Sequence, residues 1–236
     1  KKISFLFFPF LILIIPFVFV VIQPDLGTSL SIIILGVFIL FIAGVRIWKF
    51  ILGLIVTMVS IPVVLQFIKP YQRDRIVSFL NPESDPLGQG YQLIQSKIAL
   101  GSGGATGKGF LEGTQSYLEY LPEKQTDFIF TLIGEEFGFL GTMFIIFTFV
   151  LLIAVCYFIS IKCFHTFGRI LALGVASNVF IYVFMNIAMV SGLMPVVGIP
   201  LPLISYGGSV MLSIMISMGL VLNVELNYNL KKLHNA

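Results

Sequence analysis

The chain has 236 residues, 58% of them hydrophobic and 11% charged, with a formal net charge of +3. Soluble domains are about 45–50% apolar, so this composition excludes an ordinary soluble fold, and the small net charge leaves no electrostatic footprint for nucleic acid. Two cysteines, Cys156 and Cys163, cannot build a disulfide framework, and two histidines, His165 and His234, argue against a His-rich zinc site or a Ser-His-Asp triad.

Apolar runs of 18 or more residues read as membrane spans. Six are predicted, at about 3–22, 29–46, 49–68, 128–160, 169–191 and 204–224, so the expected class is an all-α polytopic membrane protein forming a single membrane domain over 1–236. The first run is too long for a signal-peptide core, and a chain that opens on Lys1 reads as part of a longer protein. Gln23-Pro-Asp-Leu-Gly27, Arg46 to Lys49, and Pro195, Pro200 and Pro202 mark turns between spans. Asp25 follows Pro24 at the end of the first span, where it either caps the second or faces a polar cavity. The fourth run is long for a bilayer about 30 Å thick, so one end should protrude or tilt.

Between the third and fourth runs lies a polar island, 69–127, holding 13 of the 25 charged side chains. Lys1, Lys2, Arg46, Lys49, Lys162, Arg169, Lys231 and Lys232 all fall on the opposite side of the six-span topology. The positive-inside rule makes that side cytoplasmic, with both termini, and the island extracytoplasmic. The island's six bases and seven acids leave it at −1. An outward-facing enzyme has no ATP, so its substrate must carry its own activation.

Within the island, Tyr91, Ile94 and Ile98 recur at helical spacing, with Gln92, Gln95 and Ser96 on the other face. That pattern predicts a short interfacial helix. Gly101-Ser-Gly-Gly-Ala-Thr-Gly-Lys-Gly109 invites a nucleotide phosphate-loop reading, which its spacing refuses: Ser102 stands where the first glycine belongs, and Gly109 follows Lys108 where Ser or Thr belongs. Two readings stay open. Ser102, Gly103 and Gly104, with Lys97 and Lys108, form an anion site for a lipid pyrophosphate, or the segment is a flexible loop.

Thr126 and Asp127 stand where the fourth span begins. Thr is a good N-cap and an acid suits the first turn, so the pair reads as a helix start. It also reads as the mouth of a cavity. Asp127, Thr131, Glu135 and Gly138 share one helical face, Glu135 lies about 12 Å deeper at 1.5 Å per residue, and acids inside spans face protein or water-filled cavities. Glu136 is rotated away from that face. Asn178, Tyr182 and Asn186 step by four along the fifth span, as interhelical hydrogen-bonding residues do. The cysteines read as free thiols near the cytoplasmic end.

Four segments together resemble one family: Gln23-Pro-Asp-Leu-Gly-Thr-Ser29, Asn81-Pro-Glu-Ser-Asp-Pro-Leu-Gly88, Gly113-Thr-Gln-Ser116 running on to Thr126-Asp-Phe128, and Asn186 to Ser209 with its Pro-Val-Val-Gly and Pro-Leu-Pro-Leu-Ile-Ser-Tyr-Gly-Gly. They resemble the SEDS family (shape, elongation, division and sporulation), and Pro195-Val-Val-Gly198 and Gly113-Thr-Gln-Ser116 look more like its elongation members than its division members. The resemblance implies a ten-helix fold, of which this chain matches the last six, and a glycosyltransferase that polymerises lipid II into peptidoglycan outside the membrane. It implies lipid II as substrate, with a class B penicillin-binding protein and other elongation-complex membrane proteins as partners. It maps the essential acid onto Asp127, the candidate base.

Lys97 and Lys108, or a divalent cation, are then expected to offset the leaving pyrophosphate. Asp25, Thr131, Glu135, Asn186 and Ser205 are expected to line the cavity. Two positions depart from the family pattern: Gln125 stands where His usually precedes Thr-Asp, and Val210 where a small residue usually follows Gly-Gly-Ser. Two other classes fit the polar spans. One is a lipid-linked sugar transporter, against which stand the missing internal repeat and the one-sided clustering of polar residues. The other is an inactive truncated scaffold.

Overall fold

The computed structural model describes residues 7–67, 70–85, 88–117 and 123–234. The described residues form helices and connecting turns, with no strand. The helices are α1 (Phe7–Ile22), α2 (Leu26–Ile42), α3 (Ile47–Phe67), α4 (Pro70–Leu80), α5 (Gln89–Ser102), α6 (Thr114–Tyr117), α7 (Ile129–Lys162), α8 (Thr166–Val190) and α9 (Gly208–His234), with one 3-10 turn at Pro82–Ser84. By length and composition, Ile129–Lys162, Thr166–Val190 and Gly208–Asn227 can cross a membrane. Phe7–Ile22, Leu26–Ile42 and Ile47–Ser60 are shorter apolar helices. Phe144 is 71% exposed and Phe8 70%, as side chains facing hydrocarbon would be.

The chain divides into two compact units, Lys1–Asp74 and Arg75–Ala236. In the first, α1 packs on α2, and Gly27, Ser29, Ser31 and Gly36 of α2 are buried. A Cβ on Gly36 would overlap the Leu13 methyl groups, so Leu13 of α1 lies directly over this glycine. Asp25 caps α2, as its position after Pro24 suggested: one carboxylate oxygen accepts from Thr28 N at 3.0 Å.

In the second unit, α7 packs along α8, and α9 closes the core. Cys156, Ile159, Ala172, Ala176 and Val221 form its centre, and both cysteines are free and buried. Helix α5 lies against α7. Its buried line is Leu93, Ser96 and Ala99, while Ile98 is 47% exposed. The faces expected from the sequence are therefore corrected. Ser96 points inward because it has two buried hydrogen-bond partners, and Ile98 points out. Ahead of α5, Asp85 ties the turn together by accepting from Ser78 Oγ at 2.9 Å and Gly90 N at 3.3 Å.

The long α7 is not one rod. Gly138 has φ 63° and ψ −158°, which breaks the helix into two pieces. The piece from Phe139 to Lys162 measures roughly 36 Å at 1.5 Å per residue, enough for a bilayer core about 30 Å thick. At the far end of the unit α9 begins at Gly208, because Leu201 to Tyr206 are held against the start of α7 instead of joining the helix.

Candidate functional site

The site forms where three remote segments meet: the turn before α7, the end of α8, and the connection from Ser191 to Gly207. Tyr206 N donates to the Gln125 carbonyl at 2.9 Å, and Ser205 Oγ donates to the Thr126 carbonyl at 2.6 Å while accepting from Leu201 N at 2.7 Å. Asn186, wholly buried, donates from Nδ2 to the Asp127 carbonyl at 2.9 Å and to the Ile199 carbonyl at 2.7 Å. One amide therefore clamps the backbone of Asp127 to the connection. Among the described residues Asn186 Oδ1 has no hydrogen-bond partner. Val196, Val197, Ile199 and Leu201 are buried, so the connection is threaded through the unit, and Val197 N reaches Met189 Sδ at 3.3 Å.

Asp127 precedes α7 and is half-buried. A Cβ on Gly198 would lie 3.2 Å from Asp127 Oδ2, so the carboxylate rests against a residue with no side chain. The expected capping by Thr126 is not what the structure has. Phe128 is the N-cap, without a side-chain cap hydrogen bond, and Thr126 Oγ1 turns back to Glu123 Oε2 at 2.9 Å. Gln125, the departure from the family's His, contributes its backbone carbonyl and leaves its side chain exposed.

Below Asp127, Thr131 is fully buried and shares a 2.8 Å hydrogen bond with Ser96 Oγ, which donates to the Val190 carbonyl at 2.8 Å. Ser96 thus joins α5, α7 and the end of α8. Lys97, the next residue, lies across Gly192, where an added Cβ would overlap its Cε and stand 2.5 Å from Nζ. Among the described residues Lys97 makes no hydrogen bond or ion pair.

Glu135 is also fully buried. One carboxylate oxygen accepts from Lys108 Nζ at 2.8 Å, Gln115 N at 3.0 Å and Thr114 Oγ1 at 3.2 Å. The glycine-rich segment is built into the break of α7. Lys108 N and Gly109 N donate to the Glu135 and Glu136 carbonyls at 3.0 and 3.1 Å, and Phe139 N and Leu140 N donate to the Gly104 and Ala105 carbonyls at 2.9 and 3.1 Å. A helix break leaves orphan carbonyls above and orphan N–H groups below, and the loop satisfies both. Gly103 approaches so closely that a Cβ would overlap the Gly134 carbonyl oxygen. Ser102 Oγ bonds the Ala99 carbonyl at 2.9 Å. The flexible-loop reading of 101–109 is therefore corrected to a pinned one.

Asp127, Thr131, Glu135, Asn186, Ser205, Lys97 and Lys108 all lie in the second unit, while Asp25 belongs to the first. No group of three or more His, Cys, Asp or Glu side chains converges among the described residues. The sequence left unassigned Thr114 and Gln115 as partners of Glu135, and Gly192 and Gly198 as close neighbours of charged groups. The Gly-Thr-Gln motif and the two glycines flanking Pro195-Val-Val were the available signals.

A family model described as cell cycle protein, covering FtsW, RodA and SpoVE, matches residues 1–230. The peptidoglycan glycosyltransferase MrdB of Escherichia coli K12 is 49% identical over 213 residues, which are 89% of this chain and 57% of MrdB. Stage V sporulation protein E of Bacillus subtilis is 42% identical over 210 residues, 89% of this chain and 57% of that protein. A chain of a peptidoglycan synthase complex, described as coordinating polymerization and crosslinking, superposes with TM-score 0.76 at 33% identity, covering 93% of this chain and 61% of its own. The rod shape determining protein RodA of Thermus thermophilus superposes with TM-score 0.63 at 23% identity, over 97% and 58% of the two chains, a likeness of fold. The chain thus spans 57% of the length of MrdB and of the Bacillus protein.

Proposed function

From a chain that belongs to the FtsW, RodA and SpoVE family of cell cycle proteins, we propose that it forms the catalytic part of a peptidoglycan glycosyltransferase that polymerises lipid II during wall elongation. The observation that carries this reading is the convergence on Asp127. Two family segments far apart in sequence, Thr126-Asp-Phe128 and Asn186 to Ser209, are joined there by the Asn186, Ser205 and Tyr206 hydrogen bonds. The 49% identity with a peptidoglycan glycosyltransferase supports the activity.

In the reaction, a hydroxyl oxygen of one lipid-linked sugar attacks the anomeric carbon of another. Its proton passes to the Asp127 carboxylate, the new glycosidic bond forms, and the bond from that carbon to the diphosphate oxygen breaks, the electron pair leaving with undecaprenyl pyrophosphate. A positioned base contributes about 10²–10⁴-fold to such a step. The leaving diphosphate needs cationic stabilisation, and Lys97, which has no acidic partner among the described residues, supplies it. Lys108, already paired with Glu135, holds the loop, together with Ser102, Gly103 and Gly104.

The apolar helices support a multi-pass location in the bacterial cytoplasmic membrane. The three long and three shorter apolar helices support six spans in this chain, and the distribution of Lys and Arg supports cytoplasmic termini and an extracytoplasmic 69–127 loop. The likeness to a synthase complex that couples polymerization with crosslinking supports a class B penicillin-binding protein as partner. Purified full-length protein with that partner should convert lipid II to glycan strands in detergent, where no second compartment exists. Movement of lipid II across a sealed bilayer without any polymer would establish the transporter reading instead.

A further inference from the structure

We propose that the connection from Ser191 to Ile199 is the element that positions both charged groups of the reaction, with Gly192 as the seat of Lys97 and Gly198 as the seat of Asp127. This inference rests on the reading of Asp127 as base and of Lys97 as the cation for the donor diphosphate.

Both glycines have left-handed backbones, φ 75° at Gly192 and φ 72° at Gly198, a region that disfavours side chains. Each also faces one charged group. The Lys97 stem crosses Gly192 where a Cβ would sit, and the Asp127 carboxylate abuts Gly198. The connection between them is fixed at both ends. Gly192 N and Leu193 N donate to the Met189 and Ala188 carbonyls at 3.1 and 2.8 Å, and Asn186 holds the Ile199 carbonyl together with that of Asp127.

Lys97 lies beside the C-terminal end of α8, where the helix dipole favours a cation. Its ammonium keeps its charge for an outside anion, because it makes no ion pair among the described residues. Gly192 thereby sets where a lipid diphosphate is held, and Gly198 sets where the hydroxyl proton is received. The chemistry selected is a sugar carried on a lipid diphosphate.

A double-mutant cycle in the full-length protein tests the seating, using Gly192→Ala, Lys97→Met and the pair, with kcat and KM measured for lipid II. Each single change should raise KM about tenfold or more, since a charge-assisted hydrogen bond is lost, with a smaller change in kcat. The pair should be no worse than Lys97→Met alone. Multiplying effects, or a loss confined to kcat, would overturn the seating, because backbone strain acts independently of Lys97. Gly192→Asn tolerates the left-handed backbone and adds a side chain, so it replaces Gly192→Ala in the cycle if that variant does not fold. Gly198→Ala should lower kcat and leave KM unchanged; an unchanged kcat would overturn its role. Asp127→Asn serves as the control. If it polymerises normally, the base reading fails; if it is inactive and the cycle is additive, the seating alone fails.

Discussion

Asn186 shows how one side chain can hold two remote segments together. Its two amide hydrogens bond two carbonyls from segments 72 residues apart, part-buried at Asp127 and buried at Ile199. Each such carbonyl left unpaired would cost about 1–3 kcal/mol. Its spacing with Asn178 and Tyr182 suggested ordinary interhelical bonding, and periodicity carries no information about which backbone atoms a side chain will meet. Asp85 works at the same scale outside the membrane segments. The Gly90 N–H, then the Ser78 hydroxyl, lower its pKa against a smaller opposing effect of burial. A carboxyl with a folded pKa below its unfolded value stabilises the fold above about pH 4, and that contribution is lost as pH falls through the folded pKa. Asp85→Asn should therefore melt below wild type at pH 7, and the difference should shrink on acidification below about pH 4. A gap of constant size from pH 7 to 3 would contradict the assignment.

At the scale of elements, the break in α7 and the loop inserted into it form one device. Helix spacing placed Asp127, Thr131, Glu135 and Gly138 on one face, but only Thr131 and Glu135 lie within the helical piece, since Asp127 precedes α7 and Gly138 breaks it. Hydropathy could not reveal the break, since Phe-Gly-Phe-Leu within an apolar run fits a continuous helix equally well. The glycine-rich loop read as an anion site or flexible chain because glycine content signals backbone freedom without naming its use. Here that freedom lets the backbone reach orphan helix ends. Lys108 and Glu135 fasten the assembly, and Lys108 remains 26% exposed. Removing Lys108 leaves the buried Glu135 carboxylate without its cation, at a cost of roughly 3 kcal/mol because Lys108 itself is partly exposed, the low end of the usual range. Lys108→Met should thus lower the unfolding temperature in detergent, and adding Glu135→Gln should recover much of the loss. A double variant less stable than Lys108→Met would mean the pair is not coupled.

At the scale of the molecule, hydropathy located the apolar helices but not all their ends, because burial in hydrocarbon is a property of composition, and α9 runs on past 224 to His234. The meeting of the turn at 123–128 with the connection at 191–207 was not legible from composition or period. Those segments are joined by bonds to backbone carbonyls, so resemblance to a known family was the signal that linked them. It also reversed the plain reading of Thr126-Asp127 as a helix cap, and Phe128 proves to hold that position. As the base, Asp127 would receive the proton of the attacking hydroxyl. The most direct test is the single-turnover rate of lipid II polymerisation by full-length Asp127→Asn, measured beside its binding of lipid II. A fall of about 10² or more in rate with binding retained is the predicted result, and a rate near that of the wild type would contradict it.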